Sequence, residues 1–312
     1  MDQRYKKIVE LLGRDNVKFN EPLAQHTTFR IGGPADLFIE IENEEELVKV
    51  LRVVRPTFAK ATAGKDVGVP YFILGGGSNI LVGDKGFKGI AISVQSSKLK
   101  VQSYGLKHKV FAEAGASLRA LLNDCRENSL TGLEFLAGIP GTVGGAVRGN
   151  AGAWQNGIGE SVGRVKVLTE DGKVKWVDKE ECQFGYRDSR FKHNQEIILV
   201  VEFMLSKGGR EQIKRLIEEN LEKREKQPKE PSAGCIFVNP KPISAGELID
   251  KCGLKGTKIG NAQISERHAN FVINLGGATA KEVVALISLA KAKVKEKFSI
   301  DLKEEVVRRG EF

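Results

Sequence analysis

The stretch LAGIPGTVGGAVRGNAGAW, residues 136–154, carries the strongest structural signal of the chain. Glycine recurs throughout it, most residues between the glycines are small, and Asn150 adds one polar side chain. A backbone with so few side chains must turn tightly or approach another group closely. Close packing between backbone segments would explain this pattern, and so would a planar cofactor whose diphosphate lies against the backbone.

A second glycine cluster, GGGSN at residues 75–79, directly follows the apolar segment at residues 71–74. Consecutive glycines let backbone N–H groups point into one concavity, which suits a phosphate or diphosphate. The cluster lacks the sixth-position glycine of the dinucleotide fingerprint, and it lacks the Gly-Lys-Ser/Thr of a P-loop. A tight turn without a ligand would explain this cluster alone, whereas a cofactor with a diphosphate explains both clusters together.

Helical and strand-like patterns are mixed along the chain, which predicts an α+β fold rather than a regular βαβ alternation. Apolar spacing and capping residues predict helices that begin near residues 5, 43, 117, 209 and 279. The Asp171-Gly172 pair predicts a hairpin, and residues 56–70 are predicted to form an exposed loop or insertion. Strands are predicted at residues 37–41, 71–74, 89–94, 110–114, 164–169, 173–177, 197–205 and 271–274.

The composition excludes intrinsic disorder and favours anionic partners. The 312 residues are 41% hydrophobic, which is enough for a packed core in two or three domains. The formal net charge of +9 favours nucleic acid, an acidic membrane surface or phosphorylated small molecules. The basic residues are spread along the chain, and the densest stretch, residues 210–229, interleaves them with Glu like a solvated helix face.

The cysteines and the N-terminus predict a soluble protein of the cytoplasm. Cys125, Cys182, Cys235 and Cys252 are widely spaced, so no disulfide framework and no metal site is expected. The first 13 residues are too charged for a signal peptide, and no apolar run approaches the roughly 20 residues that span a bilayer. We therefore expect a reducing compartment and no membrane insertion.

Seven segments, in the same order along nearly the whole chain, resemble the UDP-N-acetylenolpyruvoylglucosamine reductase (MurB) family. Any one of them alone would be a weak signal, but the ordered set is specific. The short stretch between Arg187 and Lys226 resembles the shorter subgroup, which lacks an additional substrate loop. The segments are HTTFRIGGPAD at 26–36, LGGGSNILV at 74–82, GIPGTVGGA at 138–146, FGYRDSRFK at 184–192, PSAGCIFVNP at 231–240, AGELID with GLKG at 245–256, and SERHANF at 265–271.

The resemblance implies a two-part FAD-binding region of the p-cresol methylhydroxylase type, at residues 1–95 and 96–225. It further implies an α/β substrate-binding domain at residues 226–300 and a C-terminal segment, 301–312, that returns to the active site. The implied reaction is the reduction of UDP-N-acetylglucosamine enolpyruvate to UDP-N-acetylmuramate in peptidoglycan precursor synthesis, with hydride passing from NADPH through FAD. The implied partners are the UDP-sugar and NADPH, without nucleic acid, for a monomer or weak oligomer.

Such chemistry needs a fixed positive group at the developing enolate and an acid that protonates the neighbouring carbon. By resemblance, Arg187 supplies the charge, Cys235 the proton, and Glu305 polarises the enol or relays a proton. The implied substrate-binding residues are Tyr186, Lys226, Asn239, Lys255 and His268. The implied cofactor-binding residues are Gly75, Gly76, Gly77, Ser78, Asn79, Gly138, Gly141, Thr142, Gly144, Gly145 and Asn150.

Cys235 departs from the family pattern, which usually has Ser at this position. A thiol, with a pKa of about 8.5, is a far better acid than a hydroxyl. We hypothesise that a thiolate beside Arg187 would end protonation at a lower pH than in a Ser enzyme and would react with alkylating agents. Val238 stands where many members have Lys, and Trp154 stands where a smaller aromatic is common.

Two other functions fit part of the pattern. A different flavoprotein of the same FAD-binding class could oxidise a small alcohol or sugar, although the Tyr186–Ser189 and Gly234–Phe237 segments argue against it. A basic nucleotide-binding or nucleic-acid-binding module would explain the charge and the glycine loops without catalysis. Such a module would be colourless, and its binding to polynucleotide would depend steeply on salt.

Overall fold

The structure, a computed structural model, describes residues 3–55, 68–95, 97–104 and 107–312. The predicted loop or insertion at residues 56–70 lies almost entirely outside the described residues. The chain divides into two compact units, and the four-part domain division drawn from the sequence stays a prediction. Unit 1 comprises Met1–Lys18, Leu37–Gly75 and Ile90–Lys223, and unit 2 comprises Phe19–Asp36, Gly76–Gly89 and Arg224–Phe312.

The five predicted helices are confirmed, and three of them begin at the expected capping residue. Asn43, Ser117 and Thr279 each accept a hydrogen bond from the backbone N–H three residues on, as helix N-caps do. Two short helices, α4 and α6, were not predicted. The helices are α1 Gln3–Leu12, α2 Glu44–Val54, α3 Leu118–Glu127, α4 Val143–Arg148, α5 Arg210–Arg224, α6 Ala245–Lys251 and α7 Ala280–Phe298.

Each predicted strand has a counterpart, and the strands missed by the sequence pattern are mostly short. The strands are β1 Val17–Pro22, β2 Pro34–Ile41, β3 Tyr71–Leu74, β4 Ile80–Val82, β5 Phe87–Val94, β6 Leu99–Tyr104, β7 Lys107–Glu113, β8 Leu130–Thr131, β9 Gly152–Ala153, β10 Asn156–Gly157, β11 Val162–Leu168, β12 Val174–Asp178, β13 Ile197–Lys207, β14 Lys258–Ile259, β15 Ala262–Ile264, β16 Val272–Asn274 and β17 Val307–Arg309.

Unit 1 is organised around a six-stranded antiparallel sheet in the order β12–β11–β13–β7–β6, with β8 also paired to β13. The predicted hairpin joins β11 to β12, and Gly172 turns there with φ 81° while its N–H donates to the Thr169 carbonyl. The helices α3 and α4 contribute Leu121 and Val143 to the core beneath this sheet. The sheet therefore provides the platform for the glycine-rich segment around α4.

A second core of unit 1 lies at a four-stranded sheet in the order β1–β2–β5–β3. The strands β3 and β5 pair in parallel, with Leu74 opposite Ser93. The helices α1 and α2 bury Ile8 and Leu51 in this core. Because β3 ends at Leu74, the first glycine cluster begins directly at the end of a buried strand.

Unit 2 contains an antiparallel sheet, β14–β15–β16, and a parallel pair formed by β4 and the C-terminal strand β17. Its core is built largely from α6 and α7, which bury Leu248, Ile249 and Ile287. The N-terminus of α7 is held by Asp84, whose carboxylate accepts the N–H groups of residues 280 and 281 at 2.7 and 3.0 Å. No helix among the described residues is long and apolar enough to cross a membrane.

Candidate active site

Gly75, the first residue of the first glycine cluster, meets the second cluster within unit 1, at the start of α4. A Cβ atom built on Gly75 would lie 2.6 Å from Thr142 Oγ1, so only glycine fits there without a shift. Thr142 is the N-cap of α4, and its hydroxyl accepts the Gly145 N–H at 3.4 Å. Gly144 is equally confined, because its Cβ would lie 2.8 Å from the Ala114 Cβ. At Gly75 and at the start of α4, the predicted cofactor segments thus leave no room for added side chains.

Asn150 connects this segment to the loop that carries Arg187. Its side-chain amide donates to the Gly185 carbonyl at 2.7 Å and accepts the Gly159 N–H at 2.9 Å. The neighbouring Gly138 and Gly141 have φ of 77° and 127°, which favour glycine. Asn150 was predicted to bind cofactor, and this assignment stays a prediction; in the structure its side-chain amide bonds backbone groups of residues 185 and 159.

Arg187 lies at the tip of a tight turn in unit 1. Gly185 and Asp188 exchange two backbone hydrogen bonds, at 3.0 and 3.1 Å, so Tyr186 and Arg187 form the two-residue loop between them. Arg187 has φ 55°, which is uncommon for a residue with a side chain, and Lys192 Nζ donates to its carbonyl at 2.5 Å. Asp188, which directly follows Arg187 in the sequence, accepts a hydrogen bond from His193 Nε2 at 2.8 Å.

In unit 2, the Cys235 segment lies between two other segments in one backbone ladder. Cys235 pairs with Phe271 on one side, and Phe237 pairs with Glu304 on the other. The Ile236 N–H donates to the Asn270 carbonyl, and the Glu305 N–H donates to the Ile236 carbonyl, both at 2.8 Å. The structure therefore brings the segments of Cys235 and Glu305, two predicted catalytic residues, directly together.

Asn79, predicted to bind cofactor, holds the Glu305 segment from the other side. Its side-chain amide donates to the Glu305 carbonyl at 3.1 Å, and its own carbonyl accepts the Val307 N–H at 3.0 Å. Gly77, two residues earlier, has φ 61°, and a Cβ there would lie 2.1 Å from the His26 carbonyl. The residues Gly76 and Ser78 complete this turn before β4.

Glu304 and Glu305 are adjacent but have different surroundings. The Glu304 carboxylate accepts from Lys291 at 2.5 Å and from Arg308 through two nitrogens at 2.8 and 2.9 Å. Burial opposes ionisation of Glu304, but these ion pairs outweigh it and hold the pKa of the carboxyl below its ordinary value. The structure thus uses Glu304 to join α7 and β17, which distinguishes it from the predicted catalytic Glu305.

Three predicted substrate-binding residues of unit 2 gather around α6. Asn239 Oδ1 accepts the Ala245 N–H at 3.0 Å, and the His268 ring lies against Gly246. Lys255 pairs with Asp250 at 2.7 Å, and burial together with the Lys255 charge lowers the pKa of His268. Lys226, the fourth in this unit, is exposed just beyond the end of α5. Tyr186 belongs to unit 1 and is also exposed.

Comparison with known proteins decides the family. An FAD-binding domain matches residues 35–178, and the C-terminal domain of UDP-N-acetylenolpyruvoylglucosamine reductase matches residues 227–308. The enzyme of that name from Clostridium kluyveri is 40% identical over 308 residues, 98% of this chain and 97% of that protein. The one from Carboxydothermus hydrogenoformans is 44% identical over 295 residues, 94% and 93% of the two chains.

A solved structure agrees. MurB from Thermus caldophilus matches with a TM-score of 0.77 and 35% identity, over 94% of this chain and 98% of that one. The chain belongs to the UDP-N-acetylenolpyruvoylglucosamine reductase family. This membership confirms the resemblance drawn from the ordered motifs. It also confirms the predicted α+β fold, an FAD-binding region followed by a C-terminal domain.

The two domain matches of the reductase family divide the predicted site residues. The FAD-binding range contains both glycine clusters, and the C-terminal range contains Cys235 and Glu305 together with the residues around α6. Tyr186, Arg187 and Lys226 fall between the two ranges. Sequence reasoning missed Asn270, whose contacts support the Cys235 segment. Its place in the SERHANF motif is the signal that could have indicated it.

Proposed function

We propose that this chain reduces the enolpyruvyl ether of UDP-N-acetylglucosamine enolpyruvate to the lactyl ether of UDP-N-acetylmuramate, with NADPH as the reductant and FAD as the cofactor. The predictions of an oxidoreductase, of FAD and of NADPH are confirmed by the family and by the FAD-binding match. The observation that carries the proposal is the shared backbone ladder of Cys235 and Glu305, a candidate acid beside a candidate relay.

The bare backbone at the start of α4 fits a bulky cofactor. Side chains at Gly75 or Gly144 would collide with their neighbours, so backbone atoms alone line these two positions. We assign cofactor contacts to Gly75, Thr142, Gly144 and Gly145 in unit 1, and the other predicted cofactor residues remain assignments from the motifs. When bound, FAD would supply the transfer of hydride from NADPH to the terminal carbon of the enol ether.

The proposed catalytic residues manage the charge and the proton that this transfer leaves behind. Addition of hydride places negative charge on the neighbouring carbon and its carboxylate, which a forked, permanently charged guanidinium such as Arg187 stabilises well. Cys235 then donates its thiol proton to that carbon, and the resulting thiolate recovers a proton from solvent before the next turnover. We assign to Glu305 the polarisation of the enol or the relay of this proton.

The proposed substrate contacts follow from the charge of a nucleotide diphosphate. Lys226 and Lys255 provide ammonium groups for phosphate oxygens, and Asn239, His268 and Tyr186 provide neutral donors. Residues 245–251 lie beside three of these five, so we place the nucleotide sugar near α6. Cytoplasmic location, a role in peptidoglycan precursor synthesis, and a monomer or weak oligomer complete the proposal.

The absorption spectrum of the purified protein tests the proposal. We expect flavin absorbance that bleaches on addition of NADPH and returns, without oxygen, when the enolpyruvyl nucleotide sugar is added. A different oxidase of the same FAD-binding class would produce peroxide and would not respond to this sugar. A colourless protein that binds polynucleotide would contradict the proposal altogether.

A further inference from the structure

Asn270 is buried, 1% exposed, and makes three hydrogen bonds to the two residues that follow Cys235. Its side-chain carbonyl accepts the Phe237 N–H at 2.9 Å, and its side-chain NH₂ donates to the Phe237 carbonyl at 2.8 Å. Its backbone carbonyl accepts the Ile236 N–H at 2.8 Å. One residue thus satisfies three backbone polar groups of the Cys235 segment, namely the Ile236 N–H and both the N–H and the carbonyl of Phe237.

The Asn270 side chain is needed because the backbone hydrogen bonds of Ile236 and Phe237 do not follow a regular strand pairing. The Ile236 N–H is directed to the Asn270 segment, whereas the Ile236 carbonyl accepts the N–H of Glu305 on the other side. The backbone has therefore turned before Phe237, whose N–H and C=O bond the Asn270 side chain instead of a neighbouring strand. Phe237 is buried, and leaving these groups unsatisfied there would be costly.

We propose that Asn270 is a positioning residue for Cys235, acting through the peptide groups of Ile236 and Phe237 while the Glu305 segment binds the opposite side of Ile236. This inference rests on the proposed function, because the proton that Cys235 donates belongs to that reaction. Asn270 is buried, and both polar groups of its side chain bond Phe237. Its loss should slow the limiting rate of the substrate half-reaction and leave NADPH-driven bleaching unaffected.

The substitution Asn270→Asp gives a reversible test. An ionised carboxylate still accepts the Phe237 N–H, but it cannot donate to the Phe237 carbonyl and repels it. A protonated carboxyl has one acceptor and one donor and so restores the arrangement of the amide. Because burial favours the neutral form of a carboxyl, protonation of this residue should occur within an accessible acid range.

The measurement is the rate at which flavin absorbance returns when the enolpyruvyl nucleotide sugar is mixed with NADPH-reduced protein. At pH 8 we expect Asn270→Asp to be about 100-fold slower than the parent, the size of effect that a misplacement of about 1 Å produces. The ratio of variant to parent should rise toward one as the pH is lowered. Asn270→Ser, which adds no charge, should be slowed at every pH.

Asn274→Asp is the matched control. Asn274 is also buried, and its amide donates to the Phe29 carbonyl at 3.0 Å and accepts the N–H groups of Gly276 and Ala278. Asn274→Asp replaces an amide by a carboxyl at a buried position of the same unit, as Asn270→Asp does, but Asn274 does not bond residues 236 and 237. We expect it to lower thermal stability while flavin absorbance returns at close to the parental rate and without the pH-dependent recovery.

The outcomes separate this inference from the proposed function. A parent whose flavin bleaches with NADPH but does not recover with the sugar contradicts the proposed function and the inference with it. A parent that recovers, beside an Asn270→Asp protein that recovers equally fast at every pH, overturns the inference alone. Equal slowing in Asn270→Asp and Asn274→Asp would also overturn it, since a general loss of stability would then be sufficient. If Asn270→Asp does not fold, the same comparison is made with Asn270→Ser.

Discussion

Burial, hydrogen bonding and one neighbouring charge together set the protonation state of His268. Its Nδ1 accepts the backbone N–H of Asn270 at 3.2 Å, so the neutral ring carries its proton on Nε2 and can donate from there. Burial is the main cause that lowers the pKa of the ring below its ordinary value of about 6.5, and the Lys255 charge lowers it further; together they outweigh a backbone hydrogen bond that raises it.

This shift predicts a pH dependence of known sign. The unfolded chain binds a proton at His268 more readily than the folded chain, so the associated stability is present above pH 6.5 and is lost as the pH falls below it. Lys255→Met should raise the pKa of His268, as followed by NMR of the imidazole C–H. Lys251→Met, which removes a different ammonium from α6, should leave it unchanged. Equal pKa values of His268 in Lys255→Met and Lys251→Met would contradict the effect assigned to the Lys255 charge.

We expect the thiol of Cys235 to give the protein a different pH dependence and a different sensitivity to alkylation from an otherwise identical serine enzyme. The ordinary thiol pKa of about 8.5 means that a thiol donor is lost to ionisation at a pH where a hydroxyl is not. The parent should therefore lose its substrate half-reaction as the pH rises toward that range, whereas Cys235→Ser should not. Iodoacetamide should inactivate the parent and Cys252→Ser but spare Cys235→Ser. Identical pH profiles and identical sensitivity would contradict a role for the thiol.

At the scale of elements, the sequence predicts those helices that begin with a side-chain cap and show a clear apolar stripe. Asn43 and Thr279 are such caps, and both helices begin where expected. The short α4 escaped prediction because its two glycines disfavour a helix and read as a loop. Its Val143 and Val147 are fully buried, so packing against the core stabilises a turn that local propensity does not.

Pairing between distant segments is the part of the site that the sequence pattern could not predict. The family resemblance named Cys235 and Glu305 separately, but the single bridges at Phe237 and Phe271 leave no alternation long enough to recognise. The same holds for Asn79, whose amide was assigned to a phosphate loop and lies on the Glu305 carbonyl. The residue types indicated the chemistry of the site, and the backbone pairing between segments shows which of these residues are neighbours.

The confinement of α4 predicts the effect of one added methyl group. In Gly144→Ala, the new Cβ would lie 2.8 Å from the Ala114 Cβ and 3.2 Å from its carbonyl, so the helix must shift. We expect a loss of about 1–3 kcal/mol in the free energy of unfolding, together with reduced flavin content. Gly149→Ala is the control, because its nearest neighbour lies 3.6 Å away. Thermal unfolding measures the stability, and the ratio of flavin to protein absorbance measures the flavin content. Equal results for Gly144→Ala and Gly149→Ala would refute the close contact at Gly144.

At the scale of the whole molecule, the net charge of the chain is opposite in sign to the charge of its proposed ligands. The formal net charge is +9, while NADPH and a nucleotide sugar are both multiply negative. Surface ion pairs, such as Lys251 with Glu247 and Lys293 with Glu296, neutralise charge locally but do not change the net charge of the chain. A positive excess of this kind acts on encounter rates more than on the fold.

The second-order rate constant for bleaching by NADPH should therefore fall as salt is added. At about 0.01 M ionic strength the Debye length is roughly 30 Å, whereas at 0.15 M it is about 8 Å, so attraction between protein and ligand becomes short-ranged. We expect a several-fold decrease over this range, with the limiting bleaching rate at saturating NADPH nearly constant. Sodium chloride and sodium sulfate at equal ionic strength should act alike, because screening does not depend on the anion. A second-order constant independent of ionic strength would show that the positive excess plays no part in binding, and a difference between the two salts would point to a specific anion site instead.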